Sequence, residues 1–263
     1  MTKVTESWLF VPAIEKYLKG TAKDCVQNII YDLEDSLKEN EKEHGLELLV
    51  NTLLYKSSSQ HIYVRINHNE RMEHELLYLK ECGIDGFLIP KFESADVLNE
   101  YNDLLCGKKI IALLETPAGI IQLEDFADDA RIYGFAFGGE DYCTCLGVPT
   151  NDEATRYARE KIVLWAAYVH KFALDTVCFE TEDMDLFRRK AEESFRMGFR
   201  SRMLIHPKQA EVIRKIKECH DRNEMEEIIK KYEESGFGVS VVDGKVYEKP
   251  HIERLKKMLE QEE

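Results

Sequence analysis

A short apolar run meets two glycines and two carboxylates in the stretch Phe135-Ala136-Phe137-Gly138-Gly139-Glu140-Asp141-Tyr142. The apolar part fits a buried strand, and the glycines let the backbone turn or approach a ligand closely. Asp141 would then lie just past the carboxyl end of that strand, where parallel α/β folds bind their ligands. Turns often carry the same residues, so a plain turn remains the alternative for this stretch alone.

A second short apolar run, from Ile110 to Leu114, also ends on a carboxylate, Glu115. The carboxyl ends of parallel strands meet at one rim of a sheet or barrel. Two carboxylates at that rim could share a hard cation such as Mg²⁺. This pairing gives Asp141 a chemical interpretation that the first stretch does not give by itself.

Six further runs have the length and composition of buried strands. They are Trp8–Pro12, Val26–Tyr31, Ile62–Val64, Gly86–Lys91, Asp175–Cys178 and Met203–Ile205. Helical patterns separate the runs, so strand and helix alternate with a period of roughly 30 residues, which is typical of βαβ units. Eight such repeats in 263 residues predict an α/β fold, a closed (β/α)8 TIM barrel.

Among the helices of this alternation, a long one is predicted from Glu153 to Phe172 and a charged one from Pro207 to about Glu234. The end of the chain departs from the alternation. Beyond the charged helix, Asp243-Gly244 is a hairpin-turn signal, and a final helix is expected through Met258. We therefore predict a barrel domain over residues 1–235 and a C-terminal extension over residues 236–263.

Net charge, apolar runs and cysteine content exclude several classes of protein. The net charge of −14 argues against nucleic acid as a partner, because phosphate binding needs a positive face. No apolar run reaches the length of a membrane span, and no secretory h-region opens the chain. The seven cysteines are odd in number and match no zinc spacing, so reduced thiols in a cytoplasmic protein are expected.

Polar side chains gather where the predicted strands end. They are Asp32, Glu34, Asp35, Arg65, Asn67, Glu115 and Asp141. Oxygen ligands without nearby His or Cys favour Mg²⁺ or Mn²⁺ over zinc. A divalent cation beside the planar guanidinium of Arg65 suits a 2-oxo acid or a developing enolate.

A structural role remains open for each of these residues. Arg65 could pair with Asp32 or Glu34 in a buried network. Glu115 could cap the helix that Thr116-Pro117 would start. Residues 32–35 could form an ordinary polar loop.

The order of several short motifs carries more information than any one of them. They are Leu9-Phe10-Val11-Pro12, Tyr31-Asp32-Leu33-Glu34-Asp35-Ser36, Val64-Arg65-Ile66-Asn67, Ile89-Pro90-Lys91, Glu115-Thr116-Pro117-Ala118-Gly119, Gly138-Gly139-Glu140-Asp141, Tyr157-Ala158-Arg159 and Ile205-His206-Pro207-Lys208-Gln209. In this order, across nearly the whole chain, the sequence resembles the citrate lyase β-subunit-like branch of the HpcH/HpaI aldolase family.

The resemblance implies a barrel of the phosphoenolpyruvate/pyruvate-binding type and Mg²⁺-dependent carbon–carbon cleavage of a 3-hydroxy-acyl-CoA. Citryl-, citramalyl- and malyl-CoA are the expected candidates, with oxaloacetate, pyruvate or glyoxylate as the 2-oxo acid. By motif match, Glu115 and Asp141 would bind the metal. Arg65 would bind the oxo acid, with Glu115, Gly138 and Gly139 also on the substrate. Glu34 and Asp35 would hold metal-bound water.

Two positions depart from the family pattern. Glu248 stands where an aspartate of the C-terminal segment reaches a neighbouring subunit's site, and it keeps the charge but adds a methylene. Glu6 stands where arginine is usual, so the sign of that charge is reversed. The resemblance also implies a homo-oligomer, with a trimer favoured and Glu248 contributing to catalysis from the neighbouring chain.

Two other functions remain open at this point. The protein could be an accessory subunit that binds a CoA ester or a 2-oxo acid without turnover. It could also be an aldolase that acts on a hydroxy acid without CoA.

Overall fold

The computed structural model describes residues 7–20, 26–54, 60–218, 222–236 and 238–262. Eight parallel strands form a closed barrel in chain order, and the last strand pairs with the first. These strands are β1 (Trp8–Pro12), β2 (Asn28–Asp32), β3 (His61–Arg65), β4 (Gly86–Ile89), β5 (Lys109–Leu114), β6 (Ile132–Phe137), β7 (Phe172–Asp175) and β8 (Ser201–Leu204). The predicted (β/α)8 barrel is confirmed.

Helices occupy the connections between the strands. They are α1 (Glu15–Lys19), α2 (Lys42–Leu54), α3 (Met72–Leu79), α4 (Asp96–Glu100), α5 (Asn102–Leu105), α6 (Pro117–Ile121), α7 (Leu123–Phe126), α8 (Gly139–Leu146), α9 (Asp152–Tyr168), α10 (Met184–Met197) and α11 (Pro207–Glu218). A 3₁₀ turn, Glu39–Glu41, precedes α2. Within the described ranges, no helix has both the length and the apolar character needed to cross a membrane.

Aromatic rings fill the barrel near the amino ends of its strands. The ring of Trp8 lies 4.9 Å from that of Tyr63 and 5.6 Å from that of Phe172. Gly134 makes room for this layer, because a Cβ there would come within 2.4 Å of the Phe172 ring. Packed apolar side chains therefore close this part of the barrel, and its polar side chains concentrate at the opposite end.

The predicted seventh strand was misplaced. Strand β7 is Phe172–Asp175, whereas the sequence analysis assigned Phe172 to the end of a helix and began the strand at Asp175. Helix α9 ends at Tyr168, and His170 takes a left-handed backbone conformation with φ of 57°. A histidine, rather than a glycine or proline, makes this turn, and the apolar side chains that follow continue the helical pattern.

The chain forms two compact units, and the second begins at Lys215. It contains α12 (Arg222–Ser235), β9 (Val239–Val242), β10 (Lys245–Glu248) and α13 (Lys249–Glu262). Asp243 and Gly244 join the two antiparallel strands with positive φ at both residues, which confirms the predicted hairpin.

The boundary predicted at residue 235 places α12 with the barrel. In the structure α12 packs with the hairpin and α13, because Ile228 and Ile229 are buried in one cluster with Val242 and Ile252. An apolar cluster of this kind gives the C-terminal unit a core of its own. Contact between this unit and a neighbouring subunit stays a prediction.

Candidate active site

A cavity of about 310 Å³ lies at the carboxyl ends of the barrel strands. Its polar lining includes Asp32, Asp35, Ser36, Arg65, Glu115, Glu140, Asp141 and Thr176, and the backbone of Gly138 and Gly139. Its apolar lining consists of Phe10, Pro12, Leu113, Val177, Phe179, Met203 and Ile205. The structure thus brings together most of the residues predicted from the sequence, with an apolar wall beside them.

Arg65 is the best-anchored charge of this cavity. It ends β3 next to Asp32, which ends β2, and the two residues are register partners. The guanidinium binds Asp32 with two hydrogen bonds, from Nε to Oδ1 at 2.7 Å and from Nη2 to Oδ2 at 2.8 Å. Its Nη1 lies 2.9 Å from Oε2 of Glu34 and 3.2 Å from Oδ2 of Asp35.

The buried network considered as an alternative for Arg65 is therefore present, and Arg65 still lines the cavity. Burial lowers the pKa of Arg65, but Asp32, Glu34 and Asp35 outweigh it and raise the pKa, so the guanidinium stays charged. A fixed planar cation at the cavity wall can bind a carboxylate of a ligand.

Asp32 also organises the loop after β2. Its Oδ1 accepts a hydrogen bond from the backbone N–H of Glu34, and its Oδ2 accepts one from that of Ser36. Burial raises the pKa of Asp32, but Arg65 and these donors outweigh it and lower the pKa. Asp32 is thus an ionised clamp on Arg65, a role that its position at a strand end did not reveal.

Glu115 is buried just after β5 and does not cap the following helix. The hydroxyl of Thr116 is the cap, because it accepts a hydrogen bond from the N–H of Gly119 at 3.1 Å. Glu115 Oε1 instead accepts the backbone N–H of Lys91 at 2.8 Å. Burial, together with the nearby carboxylates Glu34 and Asp141, raises the pKa of Glu115 to about 8 despite the opposing effect of Arg65.

The two glycines of the opening stretch allow close approach to Glu115. A Cβ on Gly138 would lie 2.5 Å from Cβ and from Oε2 of Glu115. Gly139 begins α8, and its N–H donates to Oγ1 of Thr176 at 2.9 Å. Asp141 follows in the first turn of α8, where the N-terminal helix dipole favours a carboxylate.

Thr176 is held from behind by a buried ion network that the sequence analysis missed. Its N–H donates to Asp175, which is fully buried at the end of β7. Asp175 also accepts hydrogen bonds from Arg159, Ser194 and Arg202. Arg159 belongs to the motif Tyr157-Ala158-Arg159, and the structure gives it this structural partner.

The remaining predicted residues lie in different settings. Glu34 is buried and does not line the cavity, whereas the Asp35 side chain is 61% exposed. Glu248 is exposed at the end of β10 in the C-terminal unit, and its N–H donates to Nδ1 of His251. Glu6 lies outside the described residues.

The candidate metal ligands of this site are two carboxylates, those of Glu115 and Asp141. Across the described ranges, no group of three or more His, Cys, Asp or Glu side chains is arranged to hold one. Glu115 and Asp141 fit Mg²⁺, which commonly takes one or two carboxylates and completes its shell with water and substrate oxygens. Burial and, after it, the nearby carboxylates Glu34 and Asp141 raise the pKa of Glu115, and a bound cation would offset this by favouring the ionised form.

A family model described as HpcH/HpaI aldolase/citrate lyase matches residues 6–207. The chain belongs to the HpcH/HpaI aldolase/citrate lyase family. This confirms the resemblance that the ordered motifs indicated.

Several relatives in this family match over almost their full length. A (3S)-malyl-CoA thioesterase of Cereibacter sphaeroides is 31% identical, over 94% of this chain and 90% of the relative. The citrate lyase subunit beta of Haemophilus influenzae is 29% identical, over 98% and 97%. The CitE protein of Mycobacterium tuberculosis, solved with magnesium, acetoacetate and coenzyme A, is 25% identical, with a TM-score of 0.85 over 99% of both chains.

Glu75 binds Asn67, two residues after Arg65, and makes the stability of the protein depend on pH. It is buried, and its carboxylate accepts hydrogen bonds from the N–H and Nδ2 of Asn67. Burial raises the pKa of Glu75 from 4.5 to about 7, although the hydrogen bonds from Asn67 act to lower it. Between those values the folded state keeps a proton that the unfolded state has lost, so this group makes stability fall as pH rises.

We expect Glu75→Gln to remove this dependence. The free energy of unfolding of the variant minus that of the wild type should increase by on the order of 1–3 kcal/mol between pH 5 and pH 8. Urea unfolding at several pH values measures the difference. Glu73→Gln, at an exposed carboxylate of the same helix, should show no such trend, and a flat difference for Glu75→Gln would contradict the assignment.

Proposed function

We propose that the protein is a Mg²⁺-dependent carbon–carbon lyase that cleaves a 3-hydroxy-acyl-CoA into an acyl-CoA and a 2-oxo acid. The lyase class follows from family membership. The observation that carries the proposal is the presence of Arg65, Glu115 and Asp141 in one cavity beside an apolar wall. Such a cavity can bind a small charged oxo acid and exclude water from the bond that breaks.

Glu115 and Asp141 would hold the metal. When bound, Mg²⁺ would supply Lewis acidity toward the oxygen that becomes the 2-oxo carbonyl, and Mn²⁺ could replace it. The M. tuberculosis relatives solved with magnesium and either oxaloacetate or pyruvate support the choice of Mg²⁺ as the metal. Gly138 and Gly139 leave room at the same place, because neither carries a side chain.

Arg65 would bind the carboxylate of the oxo-acid part. Asp32 fixes two of its N–H groups, so the guanidinium is already oriented before a ligand arrives. In the retro-aldol direction the substrate hydroxyl gives its proton to water, the bond between C2 and C3 of the acyl chain breaks, and the electron pair of that bond passes to the thioester enolate. Protonation of that enolate completes the acyl-CoA.

Asp35 is proposed to hold water at the metal from the cavity wall. Glu34, which does not line the cavity, is proposed to act on that water only through Arg65 and Lys91, the two cations that its oxygens face. The enolate proton is proposed to come from Glu248 of a neighbouring chain in a homotrimer. Light scattering at enzymatic concentrations tests this part, since a monomeric active enzyme would remove Glu248 from the reaction.

A substrate panel tests the proposal and identifies the acyl group. Citryl-, citramalyl- and malyl-CoA would be incubated with Mg²⁺ or with EDTA, and acetyl-CoA and the matching 2-oxo acid measured. We expect metal-dependent release of both products from at least one substrate. Binding without turnover would indicate an accessory subunit, and cleavage of a free hydroxy acid would indicate an aldolase that does not need CoA.

Thioester hydrolysis is a second candidate, favoured by the 31% identical relative named a (3S)-malyl-CoA thioesterase. The same cavity could hold malyl-CoA while water attacks the thioester instead of the carbon–carbon bond breaking. Hydrolysis releases free CoA and malate, whereas the lyase reaction keeps CoA acylated. Titration of free thiol during turnover therefore separates the two reactions.

A further inference from the structure

Lys91, which follows β4, makes two contacts with the proposed metal site that require an unusual backbone. Its φ is 48°, in the left-handed region that lysine rarely adopts. In this conformation its N–H donates to Oε1 of Glu115 at 2.8 Å. Its side chain reaches back so that Nζ donates to Oε1 of Glu34 at 3.1 Å.

Glu34 is thereby held between two cations. Its Oε1 faces Lys91 Nζ, and its Oε2 lies 2.9 Å from Nη1 of Arg65 without hydrogen-bond geometry. Glu34 is buried, and Lys91 links it to Glu115, because the Lys91 N–H binds Glu115 while the Lys91 Nζ binds Glu34. A third carboxylate therefore lies next to Glu115, one of the two proposed ligands, and both of its oxygens face other cations.

We propose that Lys91 is a positioning residue that keeps Glu34 out of the metal's coordination shell and leaves Glu115 and Asp141 as the two protein ligands. A third carboxylate on the metal would occupy a position that the substrate needs and would reduce the metal's ability to polarise it. The inference rests on the proposed function, since it concerns the same metal site. It adds a residue that the sequence analysis quoted in a motif without a role.

The side chain can be tested separately from the backbone bond. Lys91→Met removes the ammonium but keeps the length of the chain, and Lys91→Arg keeps a positive charge. The backbone N–H to Glu115 is present in both variants. Lys171→Met is the matched control, because Lys171 also has a partly buried amine, bonded to the carbonyls of Ala127 and Asp129 away from the cavity.

Mn²⁺ binding, followed by the electron paramagnetic resonance signal of the free ion, is the primary measurement. We expect Lys91→Met to bind Mn²⁺ roughly 3- to 10-fold more tightly, while kcat for cleavage falls, because Glu34 gains access to the ion. The Mn²⁺ affinity of Lys91→Arg and of Lys171→Met should stay within about twofold of the wild-type value, which is less than the effect of removing a charge pair. If Lys91 were purely structural, Lys91→Met would lower the stability of the protein without increasing its affinity for Mn²⁺.

The double variant Lys91→Met with Glu34→Gln decides whether Glu34 is the cause. Mn²⁺ affinity should return to near the wild-type value, because the third carboxylate is gone. Tight binding that persists in the double variant, or unchanged affinity in Lys91→Met, would overturn the inference while leaving the metal site intact. Wild-type protein that binds no Mn²⁺, or binds it equally well after Glu115→Gln, would overturn the proposed function itself.

Discussion

Glu115→Gln and Asp141→Asn are each expected to lower kcat for CoA-thioester cleavage by about 10³-fold or more, since loss of one charge-stabilising group at a preorganised site has effects of that size. Each change keeps the shape of the side chain and removes one of two anionic metal ligands. Glutamine at 115 can still accept the Lys91 N–H, so the fold should be retained. Steady-state rates at saturating Mg²⁺ and Mn²⁺ titrations measure the effect.

Glu140→Gln is the matched control for both variants. Glu140 adjoins Asp141 in the first turn of α8 and lines the same cavity, but it is exposed. We expect its kcat to stay within about threefold of wild type, which is the scale of a surface charge. Full metal-dependent activity after Glu115→Gln and Asp141→Asn would show that the metal lies elsewhere.

The thermal stability of metal-free Glu115→Gln gives a second readout. Burial raises the pKa of Glu115 because the ionised form is disfavoured there. Removing that carboxylate should therefore leave the melting temperature of the metal-free protein unchanged or higher, even though activity is lost. Loss of activity together with unfolding would instead mean that Glu115 is mainly structural.

Arg65→Lys is expected to lower kcat/KM by about 10²- to 10³-fold, although the charge is kept. Lysine cannot form the two parallel hydrogen bonds to Asp32 and also present a planar pair of donors to a ligand. It would also leave the buried carboxylate of Asp32 with fewer partners. The effect should be largest on the affinity for the free 2-oxo acid, measured by calorimetry with Mg²⁺ present.

Arg131→Lys controls for the loss of a bidentate pair as such. Arg131 binds Asp129 through Nε and Nη2, at 3.0 and 2.6 Å, and does not line the cavity. Its replacement should leave kcat/KM unchanged and alter the free energy of unfolding by about 1 kcal/mol or less, as for other partly exposed pairs. If Arg65→Lys behaves like Arg131→Lys, Arg65 only stabilises the loop after β2.

The barrel was predictable because short apolar runs repeat at the period of βαβ units. The exception is β7, where the side chains of Phe172, Ala173 and Leu174 continue the pattern of α9. His170 takes a left-handed conformation just past the end of that helix, and histidine signals such a turn less strongly than glycine does. The division between the two units was also hidden, because α12 is as charged as α11 and only its packing against Val242 separates it.

The site was predictable in its charged groups and in its two glycines. Arg65, Glu115 and Asp141 stand at strand ends, and a barrel must bring such residues to one rim. The partners that orient them could not be found in this way, because they depend on side chains distant in sequence. Lys91 contacts Glu34 across 57 positions, and Gly139 contacts Thr176 across 37. Both contacts depend on backbone directions that composition does not encode.

The identity of the CoA-containing product tests the central claim most directly. Whichever of citryl-, citramalyl- and malyl-CoA is turned over would be mixed with an excess of the Mg²⁺-loaded protein. The quenched single turnover would be analysed by mass spectrometry beside an EDTA-treated sample and the Glu115→Gln variant. The proposed lyase predicts acetyl-CoA and the matching 2-oxo acid in the Mg²⁺ sample alone. Free CoA with the intact hydroxy acid, or acetyl-CoA formed equally by the Glu115→Gln variant, would contradict it.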